Sequence, residues 1–490
     1  MKRAFLFCFL GLSALSAILY WTRPESRSTE PVLYWMTQND PVKRETVKEF
    51  RRWLIDQGLP PVEVRIDNSN QDITKKLVQG VSGVGGDLID LYFCELELMQ
   101  ATGMLSDVTD FAPAGGYGPT TTYQAIRGDF MAAGRQYGYP RNVDVTMCWV
   151  NRDTFARYHQ PEPPRHWNWD EFEERGKRFV AAANPPGTRH RVYYINRVWP
   201  PVLRRGLGLS VFNETMTRCM LDDPRNVEVL ERLRRWTIDE KLMPKVEDQA
   251  AMAADGTVFD SSFGLFAAGR FAMIYEGLWA LIRLRPLGDF KLGAAEPFTG
   301  GFDNTEIASG AVAVYEGSKH KELARLFLRF LASERFNLLV ARSGDSLPPI
   351  PAYAKTETFL RPPGFEGDWE AKELFAKTGT THGVAQSKSP FVLPSVVMKI
   401  DGDMTQVVLA GRMTAAEGAR AETDRINAEI ALTLQQDPAL RREYDRRVDL
   451  QRQIDARRAA GQPVPAAWIS DPFLLVYYRA QGWLEKEASP

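Results

Sequence analysis

The chain has 490 residues, 44% of them hydrophobic and 25% charged, and a formal net charge of −1. That length exceeds one simple core and points to two or three domains of ordinary globular composition. A near-neutral balance without a basic stripe argues against nucleic-acid backbones and anionic membrane surfaces as partners.

Lys2 and Arg3 precede an apolar run, Ala4–Trp21, that reads as an export signal. Ala14-Leu15-Ser16 offers small residues to a peptidase, yet Ile18–Trp21 prolong the run far enough to cross a bilayer core. Residues 1–23 are therefore expected to be either a signal peptide or a membrane anchor. Cys8 lies inside this segment without the small residues that precede a lipid-modified cysteine. Cys94, Cys148 and Cys219 remain, an odd number without metal-type spacing. They leave room for one disulfide at most and otherwise read as small buried hydrophobes.

After a polar spacer (Thr22–Pro31), Val32–Trp35 reads as a buried strand. A helix over Val42–Gln57 follows, with Val47, Phe50, Trp53 and Leu54 at helical spacing. Val62–Ile66 alternates as a strand, Ile73–Gln79 is a short helix, and Asp87–Phe93 is a further strand. This alternation resumes after Pro140 and after Gly310, which predicts a mostly parallel α/β sheet. A helix carrying Phe263 and Phe266 should stop at Gly269. The apolar run Phe271–Tyr275 should then deliver Glu276, Gly277 and Trp279 at a strand's carboxyl end, where open α/β sheets bind ligands. Asp437–Ala460 is densely charged, with Leu440, Tyr444, Val448, Gln451 and Ile454 on one helical face. Pro463 and Pro465 break it from an aromatic tail, Trp468–Trp483.

Five stretches, in order, resemble the extracellular solute-binding proteins of ABC-type sugar importers, the maltose-binding group. They are Val32–Asp40; Gly83–Leu105; Tyr139-Pro140 with Asp144, Asn151 and His166–Phe172; Phe266–Trp279; and Ser309–Val314 with the helix through Ala324, Phe327 and Phe330. Where the family carries Tyr before the Asn, Val150 stands here. The resemblance implies a two-lobed periplasmic-binding-protein fold of type II, the venus-flytrap arrangement, each lobe a mostly parallel sheet flanked by helices. The expected division is 32–140 plus 305–346 for one lobe and 141–304 plus 347–435 for the other. A helical and aromatic extension would cover 436–490, and the crossings would lie near Tyr139–Asn142, Phe298–Ser309 and Leu347–Pro351. It further implies capture of a mono- or oligosaccharide or polyol, delivery to membrane permease subunits, an extracytoplasmic location and a monomer.

The chemistry of a sugar asks for the same parts. Ring faces need aromatic planes, and hydroxyls need carboxylates or amides. Trp35, Trp199 and Trp279 are the candidate planes, and Glu95, Asp144, Asn196 and Glu276 the candidate polar partners. Asn39 and Asp40, in the polar turn after the first strand, and Ser309 and Gly310 complete the expected site. No catalytic residue, metal or cofactor is expected. An extracellular hydrolase is the enzymatic alternative, although the five histidines are scattered and no nucleophile elbow occurs. Adjacent Tyr193-Tyr194 or Tyr477-Tyr478 could suggest ferric iron. In a strand, however, neighbours face opposite ways. A tethered sensor of the same fold is a third alternative.

Overall fold

The computed structural model describes residues 30–486 without 70, 71, 246, 249–251, 253–260, 289 and 345, and residues 11, 14 and 16 besides. The export segment expected over 1–23 falls outside the described residues but for those three. Among the described residues no helix is long and apolar enough to cross a membrane.

In chain order the strands are β1 (Val32–Met36), β2 (Glu63–Asp67), β3 (Leu88–Leu91), β4 (Met131–Ala132), β5 (Arg135–Gln136), β6 (Gly138–Asn151), β7 (Tyr193–Ile195), β8 (Phe271–Gly277), β9 (Leu292–Ala295), β10 (Thr305–Val314) and β11 (Gly383–Val384). The main sheet runs β2-β1-β3-β10-β6-β8-β7, with β9 also on β6 and β11 on β10. The long β6 organises it. Its first part, Gly138–Val145, pairs with β10, whereas Thr146–Val150 pairs with β8 and Cys148–Asn151 with β9. One strand thus belongs to two half-sheets, one built on β10, β3, β1 and β2 and the other on β8, β7 and β9. These are the sheets of the first and second lobes.

Strand direction decides where a ligand can meet both lobes. β1 and β3 run the same way as β6, each being antiparallel to β10 or parallel to a strand that is. β8 runs against β6, and β7 is parallel to β8. The carboxyl ends of β1 and β3 therefore point toward the second lobe, and those of β7 and β8 point back toward the first.

Apolar patterning seats these sheets. In the helix Pro41–Asp56, Asp40 caps the Lys43 amide, and Phe50, Trp53 and Leu54 are buried on one stripe. They meet Trp35, Val312 and Phe327 in the first lobe's core. The helix Trp169–Ala183 starts on a capping box of Asn168 and Glu171. Its Phe172 stacks on Phe298 at 4.0 Å among Trp167, Tyr194 and Trp236. A third cluster passes beneath the junction, from Met36 and Leu91 through Val145 and Ile307 to Trp149 and Phe375. Gly269 has φ +74°, the left-handed stop expected between the helix Ser261–Ala267 and β8. Tyr193 and Tyr194 enter opposite clusters, so no pair of phenolates converges there.

The carboxyl end is docked on the second lobe. In the helix Pro438–Ala459, Ile454 is buried, while Leu440 and Tyr444 pack on a cluster with Phe212 and Phe391. The Glu214 carboxylate binds this extension three times, accepting from Gln451 at 2.8 Å, from Arg458 at 2.8 Å and from the Tyr478 hydroxyl. Cys94, Cys148 and Cys219 are unpaired.

Candidate functional site

At the end of β8 three features meet. Asp144 Oδ1 accepts from the Leu278 amide at 3.1 Å across the β6–β8 pair. A β-carbon at Gly277 would overlap the Asp144 carboxylate and the pyrrole edge of Trp279, so only glycine fits. Trp279 is half-buried, its ring set edge-on to Phe263 at 5.4 Å. A carboxylate, a bare backbone and an indole thus lie side by side.

Beside them, Glu276 is 5% exposed, and an exposed arginine holds it. Arg197 Nη2 donates to both carboxylate oxygens, at 2.8 and 2.9 Å. Asn196 fixes the geometry. Its Oδ1 accepts from the Tyr275 and Arg197 amides at 2.9 and 2.7 Å, which aims Nδ2 at Glu276, 3.5 Å away. Asn196 and Arg197 also line a cavity of about 500 Å³ in the second lobe, together with Trp199, Arg204, Arg205 and Asp401. Trp199 stands beside Glu306, whose carboxyl is pushed up by burial. Arg204, 1% exposed, donates to Asn226 at 2.7 Å and grips Asp401 through two bonds of 2.7 Å. Burial pushes the Asp401 carboxyl up, but Arg204 outweighs it and holds it below the usual range. Neighbouring Glu422 is driven up by burial and by Asp401.

The first lobe treats its expected site residues differently. Trp35 is 1% exposed and packs on Phe327 at 5.1 Å. Strand alternation puts it on the covered face with Leu33. Its Nε1 donates to Asp90 at 2.9 Å, and Asp90 also accepts from Thr37 and from Arg141 Nε at 3.1 Å. Glu95 is likewise engaged within the fold. It pairs with buried Lys76 at 2.9 Å and accepts from the Tyr92 amide at 3.1 Å, and burial raises its carboxyl despite that pairing. Asp40 caps its helix and pairs with Lys43, while the exposed Asn39 accepts from Arg44 at 3.0 Å. Ser309 is 4% exposed and donates to Asp129, which also holds Lys388 at 2.8 Å. Gly310 sits at the register shift of β10, beneath Asn142 and Arg141.

Arg141, Arg197 and Arg205, which lie among these groups, were not singled out by sequence reasoning. Arg197 was legible in principle, as it directly follows Asn196 at the strand end. Arg205 gave no signal, because its burial depends on segments far along the chain.

Two half-sheets on one crossing strand, with strand ends from both facing the junction, define a two-lobed binding protein of the periplasmic type. The profile of the bacterial extracellular solute-binding proteins matches residues 60–337, and the chain belongs to that family. No curated protein matches it in sequence. Among solved structures, an ABC substrate-binding protein from Listeria monocytogenes in complex with cycloalternan is similar, with TM-score 0.69 and 20% identity over 82% of this chain and 99% of that one. A solute-binding protein from Thermotoga lettingae bound with α-D-tagatose gives 0.68 and 16% over 82% and 100%. A cyclo/maltodextrin-binding protein complexed with maltotetraose gives 0.63 and 19% over 84% and 99%. At such identities the likeness establishes the fold.

Proposed function

We propose that this protein captures a carbohydrate between its lobes and hands it unchanged to an ABC-type permease. The observation that carries the reading is the side-by-side setting of Asp144, Gly277 and Trp279. A carboxylate accepts from ring hydroxyls with charge assistance, an indole covers the C–H face, and a glycine lets the ring approach backbone. The ligands named for the similar structures are cyclic, mono- and oligomeric sugars, which supports the same class here.

In this reading the lobes are 32–140 plus 305–346 and 141–304 plus 347–435. The chain crosses between them at β6, at β10 and at Leu347, which bridges to Val143. Contacts to both lobes stabilise the closed form over the open one. The protein works as a monomer outside the cytoplasm, released or held there through residues 1–23, and turns nothing over. Differential scanning fluorimetry over a carbohydrate panel, followed by calorimetry on the hits, tests this. Binding of at least one neutral sugar without its hydrolysis is expected. Turnover of a sugar, or silence across the panel, overturns the reading.

A further inference from the structure

We infer that the Lys388–Asp129 ion pair is a brace across the hinge between the lobes, and that the carboxyl-terminal extension fixes the strap that carries Lys388. The inference rests on the proposed function, whose lobes and crossings it uses. It goes beyond that reading by naming what holds the lobes in one arrangement when no sugar is bound.

The three crossings of the chain lie side by side. Val143 of β6 pairs with Ser309 of β10 and bridges to Leu347. Asp129, at the end of the short 3-10 helix Gln124–Asp129, is fastened to this point from the first lobe. Its Oδ2 accepts from the Ser309 amide at 2.8 Å and from the Ser309 hydroxyl at 3.1 Å. Its Oδ1 accepts from Lys388 Nζ at 2.8 Å, and the same ammonium donates to the Gly128 carbonyl at 2.9 Å. Glu97, also of the first lobe, stands 3.9 Å from that ammonium.

Lys388 itself lies on the strap between the helices Trp369–Thr381 and Pro394–Leu409, and the strap is tied down on both sides of it. Ser387 bonds Ser210 at 3.0 Å, and the Ser210 hydroxyl donates to Asp471 of the extension at 2.6 Å. Ser389 donates to the Met216 carbonyl at 2.7 Å, and Phe391 and Val392 are buried with Phe212. Upstream, Val384 packs in a cluster with Phe473, Leu474 and Tyr478 of the extension. Asp471 in turn caps the helix Pro472–Gln481 through the Leu474 amide at 2.9 Å. The stem of Lys388 therefore moves with the second lobe, while its ammonium is held by the first.

Burial gives the pair its weight. The two side chains are only 10% and 4% exposed. An ion pair so placed is screened little, and removing one partner leaves the other uncompensated. A rotation about the crossing strands that carries the strap away from Gln124–Asp129 has to separate the charges. The Ser309 bonds join Asp129 to β10 within the first lobe and survive that rotation. Lys388 is the part of the cluster that hinge motion breaks.

The test is the interlobe distance of the full chain without sugar, read by double electron–electron resonance between spin labels at Lys48 and Glu174. Both are exposed, one on the helix Pro41–Asp56 of the first lobe and one on the helix Trp169–Ala183 of the second. Labels carried on non-natural amino acids leave the cysteines untouched. In wild type the main peak should fall at the separation seen in this structure. Lys388→Met and Asp129→Asn should each lower the share of that peak roughly threefold, and the double variant should lower it no further. Lys388→Arg, which keeps the cation, should restore it. Asp471→Ala frees the strap and should lower the same share by a smaller factor. Asp471→Asn, which keeps an acceptor for Ser210 and a cap for the helix, should leave it at the wild-type level. Unchanged distances in both Lys388→Met and Asp129→Asn overturn the brace, as does a wild type whose main peak lies elsewhere. A shift in those two with none in Asp471→Ala overturns the part given to the extension. Asp129→Asn keeps an oxygen for Ser309 and decides the matter if Lys388→Met fails to fold. No sugar is present, so silence of the carbohydrate panel leaves this measurement readable, and unaltered distances leave the carbohydrate reading standing.

Discussion

The two lobes put the same architectural position, the carboxyl end of a strand, to different use. In the first lobe Asp90 is tied to Trp35, Thr37 and Arg141, and Glu95 to Lys76. Glu95 is held by its own lobe, whereas Asp90 also takes a donor from Arg141, where the chain crosses into the second. In the second lobe Asp144 accepts from the Leu278 amide beside a glycine, Glu276 is held by an exposed arginine, and Trp199 and Arg205 border a cavity. On the carbohydrate reading, the contrast would put recognition chiefly in the second lobe and closure in the first.

The largest expected effect breaks the first lobe. Asp90→Ala removes the acceptor of three donors and leaves the mostly buried Arg141 guanidinium without its carboxylate. Breaking a buried pair in this way should cost about 3–5 kcal/mol of stability in urea unfolding. A loss below about 1 kcal/mol would mean that the first lobe's strand ends are not tied as described. Trp279→Ala is the mirror experiment. It should lower sugar affinity by roughly 2–4 kcal/mol if the ring is a central anchor, with the smaller change in the unfolding midpoint. Equal affinity with intact folding would return Trp279 to the core.

Much of this contrast was legible in the sequence, but unevenly. Periodicity placed β1, β2, β8 and the helices Pro41–Asp56 and Pro438–Ala459 within a residue or two of their observed bounds. The glycine stop before β8 and the strand-end position of Glu276 followed from local chemistry alone. The burial of Trp35 was not legible, for a physical reason. Alternation fixes which residues share a face, not which face a distant helix will cover, and Phe327 lies far along the chain. The pairing of Glu95 was hidden likewise, since its partner Lys76 comes from the preceding helix and no spacing rule announces the pair. The Asp144–Leu278 bond joins residues 134 apart in sequence. Only the family resemblance could bring them together beforehand.

A third experiment concerns neither set of strand ends but the apolar cluster beneath both. Lys372, fully buried on the helix Trp369–Thr381, has its ammonium pKa lowered to about 8 by burial, reinforced by Arg285 and opposed by Asp368. The folded value lies below the unfolded one. Between pH 8 and about 10.4 the unfolded chain therefore binds more protons, and stability should rise with pH. Below pH 8 both states are charged and the burial penalty is constant. Lys372→Met should raise stability at pH 7 by roughly 2–3 kcal/mol and flatten that rise. A variant whose stability still climbs between pH 8 and 10 would show that another group is responsible.

The smallest effect is the most discriminating. Trp35→Phe keeps a ring against Phe327 but drops the indole's donation to Asp90, which retains Thr37 and Arg141 as donors. One lost bond to a charged acceptor and some lost packing should cost about 1–2 kcal/mol of stability. Sugar affinity should stay within twofold of wild type, because the ring lies inside the first lobe and reaches no ligand. If affinity instead falls tenfold while folding is preserved, Asp90 and its donors are tuned to the bound solute. The first lobe then recognises the sugar as well as closing on it.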